Sequence, residues 1–354
     1  HCHTRRQRQM CIRDRLYYYA LAHQDSFDVR WIKARSIAEQ LIAPLAERLI
    51  AQHQLTVLGG TVVTSLNLEE TGRGIRSVTT RSQASGTTTE LDGLDAVVLA
   101  VGARGLRGVM AQSLACAKAA PELAAAGELR AIDVVSVRLW LDRRVSVADP
   151  ANVFSRFAAL RGSGATFFML DQLQKSSERE LWGGDDPQGS VIASDFYNAS
   201  AIATLSDGQI VATLMQDLLP QVVPAFRQAR VVESEVRRYP GSVSLFSPGS
   251  FRQRPPLETS LDVVVCAGDW VRMGEREHGA KGLCQERAYV CGLEAANSLL
   301  RRGIVAGADG AHSGRHRVLP IRADEPQVLL GRALNKLVMD PLETMGINWP
   351  WLAS

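Results

Sequence analysis

Two short and almost uninterrupted apolar segments lie far apart in this chain. Residues 94–101 read LDAVVLAV, and residues 261–267 read LDVVVCA. Such a run, with no alternation of polar and apolar residues, is typical of a strand that is buried on both faces in a parallel sheet. Between the two runs, over residues 131–240, polar and apolar residues alternate instead, which predicts strands of a different kind. We therefore predict an α/β fold in which one domain is split by an inserted, mostly β domain.

The other predicted elements follow from apolar periodicity and from glycine and proline. Residues 32–53 have apolar side chains at helical spacing, with Pro44 marking a kink or break, and the alanine-rich residues 109–128 are also predicted to be helical. The glycine-rich residues 102–108 are predicted as a turn, as are residues 72–74. Further strands are predicted within residues 55–60, 61–70, 75–83, 133–141, 165–170, 190–197 and 229–239, and further helices over Ile210–Leu219, from Cys284 to Arg302 and over Gln327–Met339.

The charge distribution argues against a nucleic-acid partner. The 354 residues carry a formal net charge of +3. The first sixteen residues contain five arginines and one aspartate, so the rest of the chain lies within one charge of neutrality. This basic stretch has no signal-peptide pattern, and its QMCIRDR segment resembles translated adaptor sequence. We interpret residues 1–16 as a non-native or disordered end, with a basic targeting arm as the alternative.

The cysteines and histidines do not form a metal-binding pattern. Outside residues 1–16 the chain has Cys116, Cys266, Cys284 and Cys291, which are too scattered for a disulfide framework and indicate a reducing compartment. Cys284 and Cys291 lie two turns apart on a predicted helix, but no CxxC or histidine accompanies them. We therefore predict no metal site.

The most informative segment is residues 263–300. Its strand ends in Gly268-Asp269, so a carboxylate lies at the carboxyl end of a buried strand, where open α/β sheets bind ligands. A polar loop follows, and then a helix with Ala288, Gly292, Ala295 and Ala296 on one stripe, which would let it lie close to a sheet. The start of this helix offers free N–H groups and a positive dipole end to an electron-rich ligand atom. An ordinary βα unit without a ligand is the alternative.

These residues resemble a known family. AGDW followed by E-x-A-x-x-x-G-x-x-A-A is similar to the C-terminal FAD-binding signature of the flavin-containing amine oxidoreductase superfamily, which includes the phytoene and zeta-carotene desaturases. The segments LTVLGGTVV, DAVVLAVGA and YPGSVSLFSPGS resemble other parts of that family, and YYYALAHQDSFDVRW resembles its desaturase-like branch. The resemblance covers residues 17–303.

The resemblance implies FAD as the cofactor and assigns roles to several residues. Asp269 would bond the ribityl or pyrophosphate part of FAD, and Gly268 would let the backbone approach closely. The backbone at Gln285 and Glu286 would face the flavin pyrimidine edge, where negative charge accumulates on reduction. The full set of residues implied to bind the cofactor is Gly268, Asp269, Trp270, Gln285, Glu286, Ala288 and, near the adenine, Leu66.

Two side chains are candidates for catalysis under the same resemblance. His278 and Lys281 precede the cofactor helix and would lie near the flavin ring. A histidine with a near-neutral pKa can transfer protons. The alternative is that both side chains are simply solvated in a loop.

The chain departs from the family in one respect. Family members begin with a strand and a G-x-G-x-x-G turn that cradles the FAD pyrophosphate, and this fingerprint is missing. We therefore expect a fragment of a split, Rossmann-like FAD-binding fold without its N-terminal βαβ unit. Residues 17–130 would hold substrate-facing helices and part of the FAD-binding domain, residues 131–240 the substrate domain, residues 241–303 the C-terminal part of the FAD-binding domain, and residues 304–354 a linker and an amphipathic helix.

The function implied by the resemblance is dehydrogenation of C–C bonds in a small hydrophobic isoprenoid or polyene. Oxidation of C–N bonds and polyene binding without catalysis are the alternatives. The helix over Gln327–Met339 would dock on its own protein or associate with a membrane surface. The family suggests a plastid and otherwise the cytoplasm, and the oligomeric state is left open.

Overall fold

The computed structural model describes residues 36–72, 74–154, 157–247, 249–274, 285–305, 316–318 and 326–344. These residues belong to two compact units. The five-stranded unit contains residues 36–57 and 132–243, and the split unit contains residues 58–131 and those from 244 onward. The chain is a mixed α/β protein, in agreement with the predicted fold class.

The elements are numbered in chain order. The strands are β1 (Thr61–Leu68), β2 (Ile75–Ser82), β3 (Thr88–Asp92), β4 (Val97–Leu99), β5 (Ala131–Leu141), β6 (Ala151–Phe154), β7 (Gly164–Met169), β8 (Val191–Tyr197), β9 (Val231–Ser244) and β10 (Val264–Cys266). The α-helices are α1 (Ala43–His53), α2 (Ala103–Gln112), α3 (Leu114–Ala119), α4 (Pro121–Gly127), α5 (Leu170–Leu173), α6 (Glu178–Leu181), α7 (Ser200–Ala203), α8 (Asp207–Ala212), α9 (Leu219–Val222), α10 (Gln285–Arg301) and α11 (Pro326–Thr344).

The five-stranded unit is built on one sheet with the strand order β6-β7-β8-β5-β9. The pairs β6–β7, β7–β8 and β5–β8 are antiparallel, and Val134 lies opposite Tyr197. The alternating sequence of β7 buries every second side chain, because neighbouring residues point to opposite faces of a sheet. The core of this unit includes Phe154, Phe167 and Phe226. The strands predicted over residues 133–141, 165–170, 190–197 and 229–239 are confirmed.

A capping box begins the helical segment that packs in this core. The Ser206 side chain accepts from the Gln209 N–H, and the Gln209 side chain accepts from the Ser206 N–H. The helix α8 then continues through a π-helical segment, Thr213–Leu218, into α9. The helix predicted over Ile210–Leu219 is therefore confirmed, with a π-helical middle.

The split unit joins two distant segments of the chain through a parallel strand pair. β4 and β10 pair with Val97 opposite Val264 and Leu99 opposite Cys266. A separate antiparallel sheet has the order β1-β2-β3, and Gly72, with φ +71°, lies in its first turn. The predicted parallel pairing of the two apolar runs and the predicted turn at Gly72 are confirmed. Burial on both faces holds for β10, whereas Val98 of β4 is 46% exposed.

The glycine-rich residues 102–108 form a helix, and the prediction of a turn there is wrong. Gly102 is the N-cap of α2, and the buried side chains of this helix recur at helical spacing (Ala103, Leu106, Val109 and Met110). Burial of this stripe outweighs the low helix propensity of the two glycines within the helix, Gly105 and Gly108. Gly127 of α4 lies against the Arg107 backbone, and the Arg107 Nε donates to the Gly127 carbonyl at 3.0 Å.

The helices at the two ends of the described chain leave their apolar side chains largely exposed. α1 has Pro44 in its first turn and follows a π-helical segment, Ala38–Ile42. The backbone stays helical across Pro44, so the predicted break is wrong, and the type of helix changes just before the proline. α11 includes the helix predicted over Gln327–Met339 and exposes Leu330 and Leu337. In the part of the chain that the structure describes, no helix is both long and apolar enough to cross a bilayer.

Two glycines of the five-stranded unit allow a matched test of its packing. A Cβ at the buried Gly189 would overlap the Leu141 carbonyl oxygen and lie 2.5 Å from the Arg143 backbone nitrogen, whereas nothing lies within 4 Å of a Cβ at the exposed Gly208 of α8. We expect Gly189→Ala to destabilise the unit by about 1–3 kcal/mol. Gly208→Ala should be neutral or stabilise it by up to about 1 kcal/mol. Urea unfolding of both variants checks this, and equal stability would contradict the packing described.

Candidate functional site

A sharp turn follows β10 and begins the candidate site. The Ala267 N–H still donates to the Leu99 carbonyl at 3.0 Å, so the parallel pairing extends one residue beyond the strand. Gly268 then has φ +135°, a conformation that other residues rarely adopt. A Cβ at this position would lie 3.2 Å from the Trp270 ring. The turn therefore requires glycine and places Asp269 just beyond the carboxyl end of the strand.

Trp270 fastens this turn to the segment after β4. Its indole is 4% exposed, and its Nε1 donates to the Val101 carbonyl at 3.1 Å. The sequence analysis included Trp270 in the cofactor set. In the structure the indole is buried in the core of the split unit and uses its one donor on the backbone. This bond ties the turn to the segment after β4, and the role of Trp270 toward a cofactor stays a prediction.

Arg287 holds the turn from the first turn of α10. Its Nε donates to the Asp269 carbonyl at 2.7 Å, and its Nη2 donates to the Val271 carbonyl at 2.8 Å. The residue is only 7% exposed. Sequence reasoning did not identify it, although a charged residue at the helical spacing of Cys291 and Ala295 was a visible signal.

Arg254 holds the same turn from the segment before β10. Its Nε donates to the Trp270 carbonyl at 2.7 Å, and its Nη2 donates to the Val271 carbonyl at 2.8 Å. The guanidinium carbon lies 4.8 Å from the centre of the Phe246 ring and 5.2 Å from that of Phe251, which is favourable cation–π geometry. Sequence reasoning missed this residue too, because only the folded chain brings it to the turn.

The Asp269 carboxylate lies in a partly buried, positively charged environment. Burial raises the pKa of this carboxyl group above its ordinary value. Its own N–H, the Trp270 N–H and the charges of Arg287 and Arg254 counteract that rise without cancelling it. The arrangement supplies a hydrogen-bond acceptor for ligand hydroxyl or amide groups at the end of the parallel strands.

The packed face of α10 differs from the predicted stripe. The buried residues at its start are Arg287, Cys291 and Ala295, and the Cys291 thiol lies 3.9 Å from the Cys266 carbonyl oxygen. Burial raises the pKa of both thiols, that of Cys266 to about 12. Nothing lies within 4 Å of a Cβ at Gly292. Of the predicted stripe, Ala295 is buried as expected, whereas Ala288, Gly292 and Ala296 are only partly buried. The prediction was therefore wrong for the start of the helix, where Arg287 and Cys291 are the packed residues.

The remaining predicted site residues lie in different surroundings. Gln285 and Glu286 are exposed in the first turn of α10, and Ala288 is partly buried. Leu66 is buried in the core on β1, where its N–H donates to Ser113 Oγ at 2.8 Å. The roles of these residues toward a cofactor stay predictions. His278 and Lys281 lie outside the described residues.

The candidate site lies at one end of the parallel strand pair. It combines a strand end, a glycine turn, a carboxylate and the first turn of a helix, all from the split unit. Within the described ranges, no group of three or more histidine, cysteine, aspartate or glutamate side chains is arranged to hold a metal ion. These features are typical of α/β domains, in which ligands bind beyond the carboxyl ends of the strands.

Comparison with known proteins identifies the family. Residues 32–303 match the family model described as flavin containing amine oxidoreductase, which covers most of the chain. The chain belongs to the flavin-containing amine oxidoreductase family, a family of flavin-dependent oxidoreductases, and the predicted family resemblance is confirmed.

Individual relatives match parts of the chain. The carotenoid phi-ring synthase of Streptomyces griseus is 30% identical over 226 residues, which are 60% of this chain and 38% of that protein. An oxidoreductase structure from Methanosarcina mazei is 14% identical, with a TM-score of 0.42, over 65% of this chain and 47% of that one. A provisionally assigned protoporphyrinogen oxidase from Exiguobacterium sp. 255-15 is 13% identical, with a TM-score of 0.37, over 60% and 42%. The chain thus spans less than half the length of these relatives.

The strained turn at Gly268 can be tested against a glycine of α10. Gly268→Ala should destabilise the split unit by about 1–3 kcal/mol, because alanine disfavours φ +135° and its Cβ would press on Trp270. Gly292→Ala, which meets open space in a helix, should be neutral or stabilise by up to about 1 kcal/mol. Chemical denaturation of both variants measures the difference. If Gly292→Ala were destabilising and Gly268→Ala left the stability unchanged, the packed face of α10 would be assigned wrongly.

The raised pKa of Asp269 predicts a pH-dependent gain from Asp269→Asn. At a pH below the ordinary value of 3.8, aspartate is protonated in both the folded and the unfolded state, and the two proteins should differ little. As the pH rises through the higher folded-state pKa, the wild-type protein loses stability relative to the variant. We expect Asp269→Asn to be the more stable protein at pH 7. Unfolding curves measured across this pH range test the sign, and a variant that is less stable at neutral pH would refute it.

Proposed function

We propose that this chain forms one side of the FAD site of an oxidoreductase that dehydrogenates C–C bonds of an isoprenoid or polyene. Family membership supports a flavin cofactor, and FAD is the form that the AGDW segment indicates. The similarity to a carotenoid phi-ring synthase supports the substrate class. When bound, FAD would supply the redox chemistry by accepting hydride from the substrate.

The observation that carries this proposal is the link between Arg287 and the Gly268 turn. Because Arg287 lies in the first turn of α10 and bonds the Asp269 and Val271 carbonyls, the start of the helix and the carboxylate are held beside each other. A ligand at this position meets the Asp269 acceptor and the helix start together. FAD offers ribityl and ribose hydroxyl groups that could donate to Asp269. It also offers an electron-rich flavin ring edge that could face the start of α10.

The residues present fit such a cofactor. Gly268 itself has no side chain, and Trp270 and the two arginines donate to carbonyl groups of the protein itself. Asp269 would accept hydrogen bonds from the ribityl or ribose hydroxyls, and the amides at Gln285 and Glu286 would face the electron-rich edge of the ring. This chain would orient the cofactor and keep water from its buried side.

We further propose that the parallel pair β4–β10 is part of a larger, Rossmann-like sheet. In the described ranges this sheet has two strands, whereas parallel sheets are stable when several strands are buried together. A βαβ unit carrying a G-x-G-x-x-G turn would complete both the sheet and the pyrophosphate site. This chain and the curated relative share 226 aligned residues, 38% of the relative, which leaves ample length for such a unit.

The cofactor assignment can be tested on Asp269. Replacing it by alanine in the intact flavoprotein should weaken FAD binding by about ten- to hundred-fold, since one charge-assisted hydrogen bond is lost. Asp262→Ala is the matched control, because that carboxylate is exposed just before β10 and should leave flavin content unchanged. Flavin absorbance after dilution and gel filtration measures occupancy. Equal flavin occupancy in both variants would show that Asp269 does not bind the cofactor.

The substrate class can be tested by product analysis. The flavin-loaded protein should bleach in the presence of a polyene, and a product with one more C=C bond should form. Reduction by amines with no response to polyenes would favour the C–N chemistry that the family description names. Retention of a polyene without any change of the flavin spectrum would indicate a binding protein.

A further inference from the structure

Two buried guanidinium groups converge on one short loop. Arg287 bonds the carbonyls of Asp269 and Val271, and Arg254 bonds those of Trp270 and Val271. Three successive carbonyl groups are therefore held, and the last of them accepts from both side chains. Each arginine is 7% exposed.

The two arginines contribute hydrogen bonds and charge as well as packing. Burying a charged side chain is costly unless it is hydrogen-bonded, and each of these guanidinium groups donates to two carbonyl groups of the loop. A lysine would supply the charge but could not span two carbonyls, whereas the planar fork of arginine can. With three carbonyls held, the peptide planes of the loop cannot rotate, and two positive charges remain beside the Asp269 carboxylate.

We propose that Arg287 and Arg254 are positioning residues for the flavin site, which fix the peptide planes of Asp269–Val271 and favour the ionised form of the carboxylate that accepts from the cofactor. This inference rests on the proposed function. Neither arginine touches the cofactor in this scheme; both act through the loop. The consequence is that removing either charge weakens cofactor binding and also changes its dependence on pH.

The direction of the pH effect follows from the neighbouring groups. In the described residues, Arg287 and Cys291 on α10 and Arg254 before β10 face Asp269, and Cys266 lies behind Cys291. The raised pKa values of the two thiols keep them neutral across the range from about pH 5 to 8. FAD affinity should therefore rise as Asp269 ionises. Without one arginine charge this rise should move to higher pH.

The experiment measures the FAD dissociation constant of the intact protein from about pH 5 to 8 by flavin fluorescence. Arg287→Gln and Arg254→Gln should each weaken binding by about ten- to hundred-fold at neutral pH and shift the midpoint upward. Arg287→Lys should return the midpoint to the wild-type value, because the positive charge is restored. FAD binding should stay weaker than in the wild-type protein, because lysine cannot bond the Asp269 and Val271 carbonyls together. Melting temperatures are recorded for every variant.

Arg301→Gln is the matched control, because this arginine lies on the same helix in an exposed ion pair with Glu258. It should leave both the affinity and the midpoint unchanged. Weaker binding with an unchanged midpoint in Arg287→Gln would show a role in folding alone and overturn the proposal, as would wild-type binding by Arg287→Lys. If Arg287→Gln proves too unstable to purify, the midpoint of Arg254→Gln decides, because the proposal expects the same upward shift from either charge. Failure of the wild-type protein to bind FAD would instead refute the proposed function itself.

Discussion

The parallel pairing of β4 with β10 is the contact on which the rest of the split unit depends. It joins Val97 to Val264 and Leu99 to Cys266, residues that are separated by more than a hundred positions in the chain. The cost of closing a long loop rises only slowly with its length, so a few buried strand residues can hold such distant segments together. Once paired, the strands bring the Gly268 turn beside Val101, whose carbonyl accepts from Trp270. The candidate site is a consequence of this one strand pair.

The electrostatics of the site show why a buried loop can stay rigid without being apolar. Three carbonyls of the loop would be poorly satisfied in a core, and two arginines bond them. The same charges oppose the desolvation of Asp269, whose pKa is raised by burial. A carboxylate held in this way is a cost to the stability of the protein alone, which is characteristic of residues that serve a ligand.

The match of residues 32–303 to a family of flavin enzymes agrees with this interpretation of the loop. The strand end, the glycine turn and the following helix are the parts that sequence reasoning recognised, since each is a local pattern of a few residues. The arginines are not local in this sense. Arg254 and Arg287 lie on different elements, and their meeting at the Val271 carbonyl depends on how α10 lies against β10.

The amino-acid sequence by itself determined the kinds of element and their order. Unbroken apolar runs specify the parallel strands β4 and β10, alternation specifies the sheet of the five-stranded unit, and the Ser206 and Gln209 pair starts α8. Tertiary structure decided the rest. Burial of Leu106 and its neighbours made a helix of a glycine-rich stretch, and packing buried Arg287 and Cys291 of α10 rather than Ala288 and Gly292. The physical reason is that local propensity differs by less than about 1 kcal/mol per residue, whereas burying one large side chain contributes about 1.5–3 kcal/mol.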